Sequence, residues 1–278
     1  MYQSHPFRSG VRSIVESAPP ASLRAPVVGL RIGPDRATHR ARAKLSELET
    51  LLESVKPGAV RLLEIDPASQ LTRVPLAVER FTELTHAHVA GRKLRDFSAL
   101  GGLAKIESLF ITGYREPEFW PMQELPLERV RSIGDSLVSC ALSSKQLWFQ
   151  RSKLQRFEHG SVEELRLENC NSVDYTSLRN LVGLQRLVLM AQPLTSLDFL
   201  ADCRELRSLD VFAPSKKTDV QQLARTTTLE RVFLAADAKV IEAIGKANPR
   251  LSITNGETCF IGGQPAKHFG DFHPTAVA

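Results

Sequence analysis

The stretch THAHV sets His86 and His88 two residues apart, with Glu64 upstream of them. On a β-strand that spacing puts both imidazoles on one face, and imidazole and carboxylate are ordinary zinc ligands. No third or fourth ligand follows at motif spacing, so a solvated histidine pair is expected and no metal site is assigned. Cys259, His268 and His273 invite the same thought near the C-terminal end, but their spacing is not that of a zinc finger. The four cysteines (Cys140, Cys170, Cys203, Cys259) show no CxxC spacing. They read as buried, reduced thiols of a cytoplasmic protein. The chain contains no GxxxxGK[ST], GxGxxG, GxSxG or HExxH, and its carboxylates are scattered. No catalytic residue and no cofactor is expected, and the chain reads as a non-enzyme.

A second kind of chemistry is contact. Arg129, Arg131, Trp148, Arg166 and Arg186 form one group of side chains, and Met190, Phe212 and Phe233 a second, apolar one. Trp, Phe, Met and Arg are the types enriched at protein interfaces. Scattered along a chain they mean little; gathered on a rigid surface they would make a docking patch for an acidic, partly apolar partner. The elements that carry them decide the matter.

Composition permits a packed core: 278 residues, 42% hydrophobic and 24% charged. No apolar run reaches the eighteen or so residues of a membrane-spanning helix, and the first 26 residues hold no apolar block suited to a secretory signal. The basic excess is local. Residues 1–44 carry a net charge of +6 against +5 for the whole chain, so everything after Lys44 sums to −1. A nucleic-acid role would therefore rest on that segment alone.

The positioning elements announce themselves by repetition. LQRLVLMAQPLTSLDFLADC (184–203) and LTHAHVAGRKLRDFSALGGL (84–103) place apolar residues at the same offsets. Leu187 and Leu189, two apart, cannot share a helical face and signal a strand. The triplet recurs as Val60/Leu63/Ile65, Leu84/Ala87/Val89, Ile106/Leu109/Ile111 and the degenerate Leu127/Val130/Ser132. It continues through Leu147/Phe149, Val162/Leu165/Leu167, Leu184/Leu187/Leu189, Leu206/Leu209/Val211 and Leu229/Val232/Leu234. Leu251/Ile253 reads as a last member and Val27/Leu30/Ile32 as a first. Steps run 22, 21, 17, 18, 22, 22 and 23 from Leu84 onward, a period that marks a solenoid.

These triplets resemble the leucine-rich repeats of the short, 22-residue, internalin-like bacterial class, over roughly residues 60–255. The resemblance implies an α/β solenoid: a parallel concave β-sheet, a mostly irregular or 3-10 convex side, and a helical N-terminal cap. The family's ninth position is usually Asn, whose amide satisfies turn backbone. Here it reads Arg92, Tyr114, Cys170, Gln192, Pro214 and Asp237, so the turns must be satisfied otherwise. One repeat alone buries too little apolar surface to offset the ordering of its backbone. Stacking shares each apolar layer between neighbours.

The expected organisation is a disordered basic tail over 1–25, a capping strand and helix over 26–59, with the helix spanning Asp35–Val55, then the array over 60–255. Residues 256–278 form a C-terminal cap or loose tail. Residues between the triplets face out on the sheet, and there the eight contact residues would be displayed. The function so implied is a protein–protein interaction module that binds its partner on the concave face. The alternative is a nucleic-acid- or acidic-surface-associated protein working through the basic N-terminal segment. Residues 1–25 also leave room for an export or effector signal.

Overall fold

The structure, a computed structural model, describes residues 11–17, 27–32, 45–65, 71–91, 93–112, 127–134, 136–140, 143–214 and 218–266. They fall into two compact units that divide between Ser144 and Lys145.

In the first unit, strands β1 (Val11–Ser17), β2 (Val27–Ile32), β3 (Val60–Ile65), β4 (His86–Ala90), β5 (Ser108–Thr112) and β6 (Arg129–Ile133) lie side by side in chain order. From β2 to β6 every pairing is parallel, and the triplets set the register. Leu30, Leu63, Ala87, Leu109 and Val130 fall in one line, and Ile32, Ile65, Val89, Ile111 and Ser132 in another. A one-residue slip would turn each set out of the core, which is why the pattern dictates the pairing. Ser132 occupies a leucine position and is fully buried. β7 (Ser136–Cys140) follows β6. Helix α1 (Leu45–Ser54) joins β2 to β3 and buries Leu52 completely. The expected helix start at Asp35 lies outside the described residues. Both carboxylate oxygens of Glu49 accept backbone N–H bonds, from Leu76 at 2.8 Å and Ala77 at 2.7 Å, at the head of a 3-10 turn (Leu76–Arg80). The disordered tail expected over 1–25 is corrected at Val11–Ser17, where β1 runs antiparallel to β2. Val11, Ile14 and Val15 lie three and four apart, the spacing of a helical face, so periodicity carries no strand signal there.

The second unit holds β8 (Ser144–Gln150, all but its first residue), β9 (Lys153–Phe157), β10 (Gly160–Glu168) and β11 (Leu181–Val182). It continues with β12 (Arg186–Met190), β13 (Ser208–Phe212), β14 (Arg231–Leu234), β15 (Ser252–Thr254), β16 (Cys259–Ile261) and β17 (Gln264–Ala266). The sheet order is β8-β10-β12-β13-β14-β15-β16-β17, with β11 paired to the start of β10. Leu165, Leu187, Leu209, Val232 and Ile253 align across five parallel strands. β16 and β17 pair antiparallel. With Gly262 and Gly263 both at positive φ, their hairpin closes the described chain. Helix α3 (Ala238–Ala247) packs Gly245 against Phe260 of that hairpin.

The returns between strands explain the second half of the repeat. Apolar residues every third position suit a 3-10 turn, where i and i+3 eclipse. Leu194, Leu197, Leu200 and Cys203 line the inner side of such a return around Asp198–Asp202. Leu94, Phe97, Leu100 and Leu103 do the same around the short helix α2 (Ser98–Gly101) of the first unit. The shortened step before Val162 has a different cause. There the return is β9, with Leu154 and Phe157 buried, and a strand covers about 3.3 Å per residue against about 2.0 Å for a 3-10 turn. Fewer residues span the same distance.

Strands β8, β10, β12 and β13 each exit through one residue in the left-handed region: Arg151, Asn169, Ala191 and Ala213, at φ 49–52°. The amides of the first three donate to the last residue of the next strand, as in Ala191 N–H to Phe212 O at 3.0 Å. At the ninth position Cys170 Sγ donates to Phe149 O. Buried Gln192 donates to Met190 O at 3.1 Å and accepts from Tyr175 Oη at 3.0 Å. Thiol and glutamine thus satisfy turn backbone where asparagine is absent. Each unit has the leucine-rich-repeat fold.

Candidate interaction face

In every triplet the second and third apolar residues point into the core, so the residue between them and those on either side face out of the sheet. On the second unit these three outward columns read Gln146, Glu164, Arg186, Ser208, Arg231; then Trp148, Arg166, Val188, Asp210, Phe233; then Gln150, Glu168, Met190, Phe212, Ala235.

The side chains do not simply stand up from their strands. Several lean across to their neighbours. The Arg166 guanidinium lies over the Trp148 ring, 4.2 Å from its centroid. Its Nη2 donates to Met190 Sδ at 3.0 Å and stands 3.7 Å from Glu168. Glu168 in turn accepts from Gln150 at 2.9 Å. Arg186 Nη2 meets Asp210 Oδ2 at 2.6 Å. The rings of Phe212 and Phe233 sit 4.7 Å apart. These diagonal contacts cover what lies beneath: Val188 and Asp210 are at most 1% exposed and Phe233 is 8% exposed. Phe233, expected on display, is therefore covered, with Phe212 as the half-exposed member of the pair. Asp210 Oδ1 is buried and has no hydrogen-bond partner.

On the first unit, Arg131 places its guanidinium 5.3 Å from the centroid of Phe110, and the His88 ring stacks on Phe110 at 4.3 Å. Arg129 is exposed on the same strand as Arg131. The eight contact residues thus separate into two groups. Arg129 and Arg131 belong to the first unit; Trp148, Arg166, Arg186, Met190, Phe212 and Phe233 belong to the second. Phe110, Glu168 and Asp210 complete these groups as partners that the sequence pattern does not single out. All three stood in outward columns, but spacing carries no sign of which way a side chain leans.

Other candidates fare less well. His86 Nδ1 is 2.8 Å from Thr85 Oγ1, and no cluster of three or more ligand-type residues occurs among the described residues. His268 and His273 lie outside them. So does most of the N-terminal segment that carries the charge excess. A cleft of about 440 Å³ in the second unit is lined by Leu178, Arg179, Val182, Cys203 and Arg204, among others. Burial pushes the Cys203 thiol up to about 11, with Asp202 adding to the effect. It is neutral near pH 7 and a poor nucleophile there. No described helix is long and apolar enough to cross a membrane.

No family model and no curated protein matches this chain. Among solved structures, an internalin (InlF) from Listeria monocytogenes is similar over 75% of this chain at 18% identity, with a TM-score of 0.44. The match spans 62% of that internalin chain, less than two thirds of its length.

Proposed function

We propose that this chain is a non-enzymatic protein-interaction module. Its partner seats on the outward face of the second unit's sheet, with Trp148, Arg166 and Met190 as the anchor. The observation that carries this reading is the ordered stack of Trp148, Arg166 and Met190. An arginine already held over an indole and against a thioether has little side-chain freedom left to lose on binding, and that loss is a main cost of association. It stands on strands locked in register, where a contact group can be held in place. Arg186 and Phe212 extend the anchor along the neighbouring strands. Phe233 supports Phe212 from below, and Arg129 and Arg131 form a separate outward group on the first unit.

Affinity capture from the source organism's lysate, comparing wild type with Trp148→Ala and Arg131→Glu, tests the reading. Trp148→Ala should cut recovery of the captured partner by about tenfold or more, as loss of an interface anchor does, with an unchanged circular dichroism spectrum. Arg131→Glu should weaken it less. Equal recovery by all three proteins would remove the sheet face as the binding surface.

A further inference from the structure

We infer that the partner surface taken by the second unit is uncharged and rich in aliphatic or aromatic side chains, not acidic as the arginines alone would suggest. The inference rests on the binding reading above and specifies its chemistry. The face answers its own charges. Arg166 has Glu168 at 3.7 Å and Arg186 has Asp210 at 2.6 Å. The remaining charged members of the outward columns, Glu164 and Arg231, bring the face to zero net charge. An incoming carboxylate would have to compete with Glu168 and Asp210 for arginine side chains that are only 12% and 28% exposed. It would also approach Asp210 Oδ1, a buried oxygen with no donor. Like charge brought onto a desolvated carboxylate is costly. Arg166 Nε also lacks an acceptor, but like Asp210 Oδ1 it is shut off from the surface, so what the face still offers to desolvation is Met190 and Phe212, paired in register on β12 and β13, beside the Trp148–Arg166 stack. Both are half-buried and present apolar surface. Such a surface is complemented by apolar groups, whose attraction salt does not screen.

Panning a phage-displayed random peptide library on the immobilised full chain tests this directly. Washes at roughly 0.05 and 0.5 M NaCl bracket the range in which the screening length falls below about 10 Å. Parallel selections use Met190→Ser and Phe212→Ser, two half-exposed positions, and Val182→Ser as a control outside the outward columns. The expected result is one family of apolar sequences without Asp or Glu, recovered equally at both salts. Recovery should fall about tenfold on Met190→Ser and Phe212→Ser, a loss of about 1.4 kcal/mol, and hold on Val182→Ser. Acid-rich sequences that need Met190 but wash off at high salt would overturn the uncharged-partner inference and leave the interaction face standing. Sequences indifferent to both substitutions, or no enrichment at all, would overturn inference and face together.

Discussion

A carboxylate shut away from water beneath an outward face has to be held, and at Asp210 the holder is Arg186. The two substitutions that break the pair should not cost the same. Arg186→Met leaves an uncompensated buried charge, and breaking buried pairs in that way costs about 3–5 kcal/mol. The partly exposed guanidinium discounts that figure, so a loss of about 2–3 kcal/mol is expected. Asp210→Asn removes the charge but keeps an acceptor for the guanidinium, and should cost about 1 kcal/mol. Urea denaturation at one pH measures both, and an equal or reversed order would show that the pair is not what stabilises the site. At this scale the sequence was half legible. Alternation along each strand told which residues face out, Asp210 and Phe233 among them. It could not tell that Arg186, Arg166 and Phe212 lean diagonally and cover their neighbours, because that depends on rotamers chosen after the strands are side by side.

Among the elements, the C-terminal hairpin has the most sharply defined seat. A Cβ added at Gly245 of α3 would stand 2.5 Å from Phe260 Cβ and 2.7 Å from its Cγ. Neither contact involves a flexible chain end, so helix or hairpin must shift. Gly245→Ala should destabilise by about 1–3 kcal/mol, the usual range for overpacking, even though Ala is the better helix former by about 1 kcal/mol. Hydrogen exchange should localise the damage, faster in α3 and β15–β17 and unchanged in β10. Uniform acceleration through the second unit would show that its coils do not open one by one. The strands and 3-10 returns were readable from apolar residues two and three apart. β9 was not, because Leu154 and Phe157 are also three apart and fit either return. β1 was not readable for another reason: Val11, Ile14 and Val15 fall at helical spacing.

For the molecule as a whole, the repeat was the most legible feature. The same offsets that marked it in the sequence became lines of buried residues across parallel strands in each unit. Because Leu184, Leu206 and their coils share one spacing, a duplicate of Leu184–Glu205 inserted before Leu206 should fold as an additional coil. The variant should keep the parent's circular dichroism per residue and unfold no earlier; loss of cooperative melting would argue that the coils are not interchangeable. One detail of the strand exits reaches further. Exposed positions are ordinarily the most replaceable in a protein, yet Ala191 and Ala213, both exposed, sit at φ 49°. A side chain in that conformation crowds its own carbonyl at a cost of about 1–2 kcal/mol, and branching at Cβ makes it worse. Neutral drift at these two sites should therefore favour glycine and asparagine, admit unbranched side chains as at Arg151, and exclude those branched at Cβ. Their tolerance is governed by backbone handedness, and a survey of solvent exposure would misjudge it.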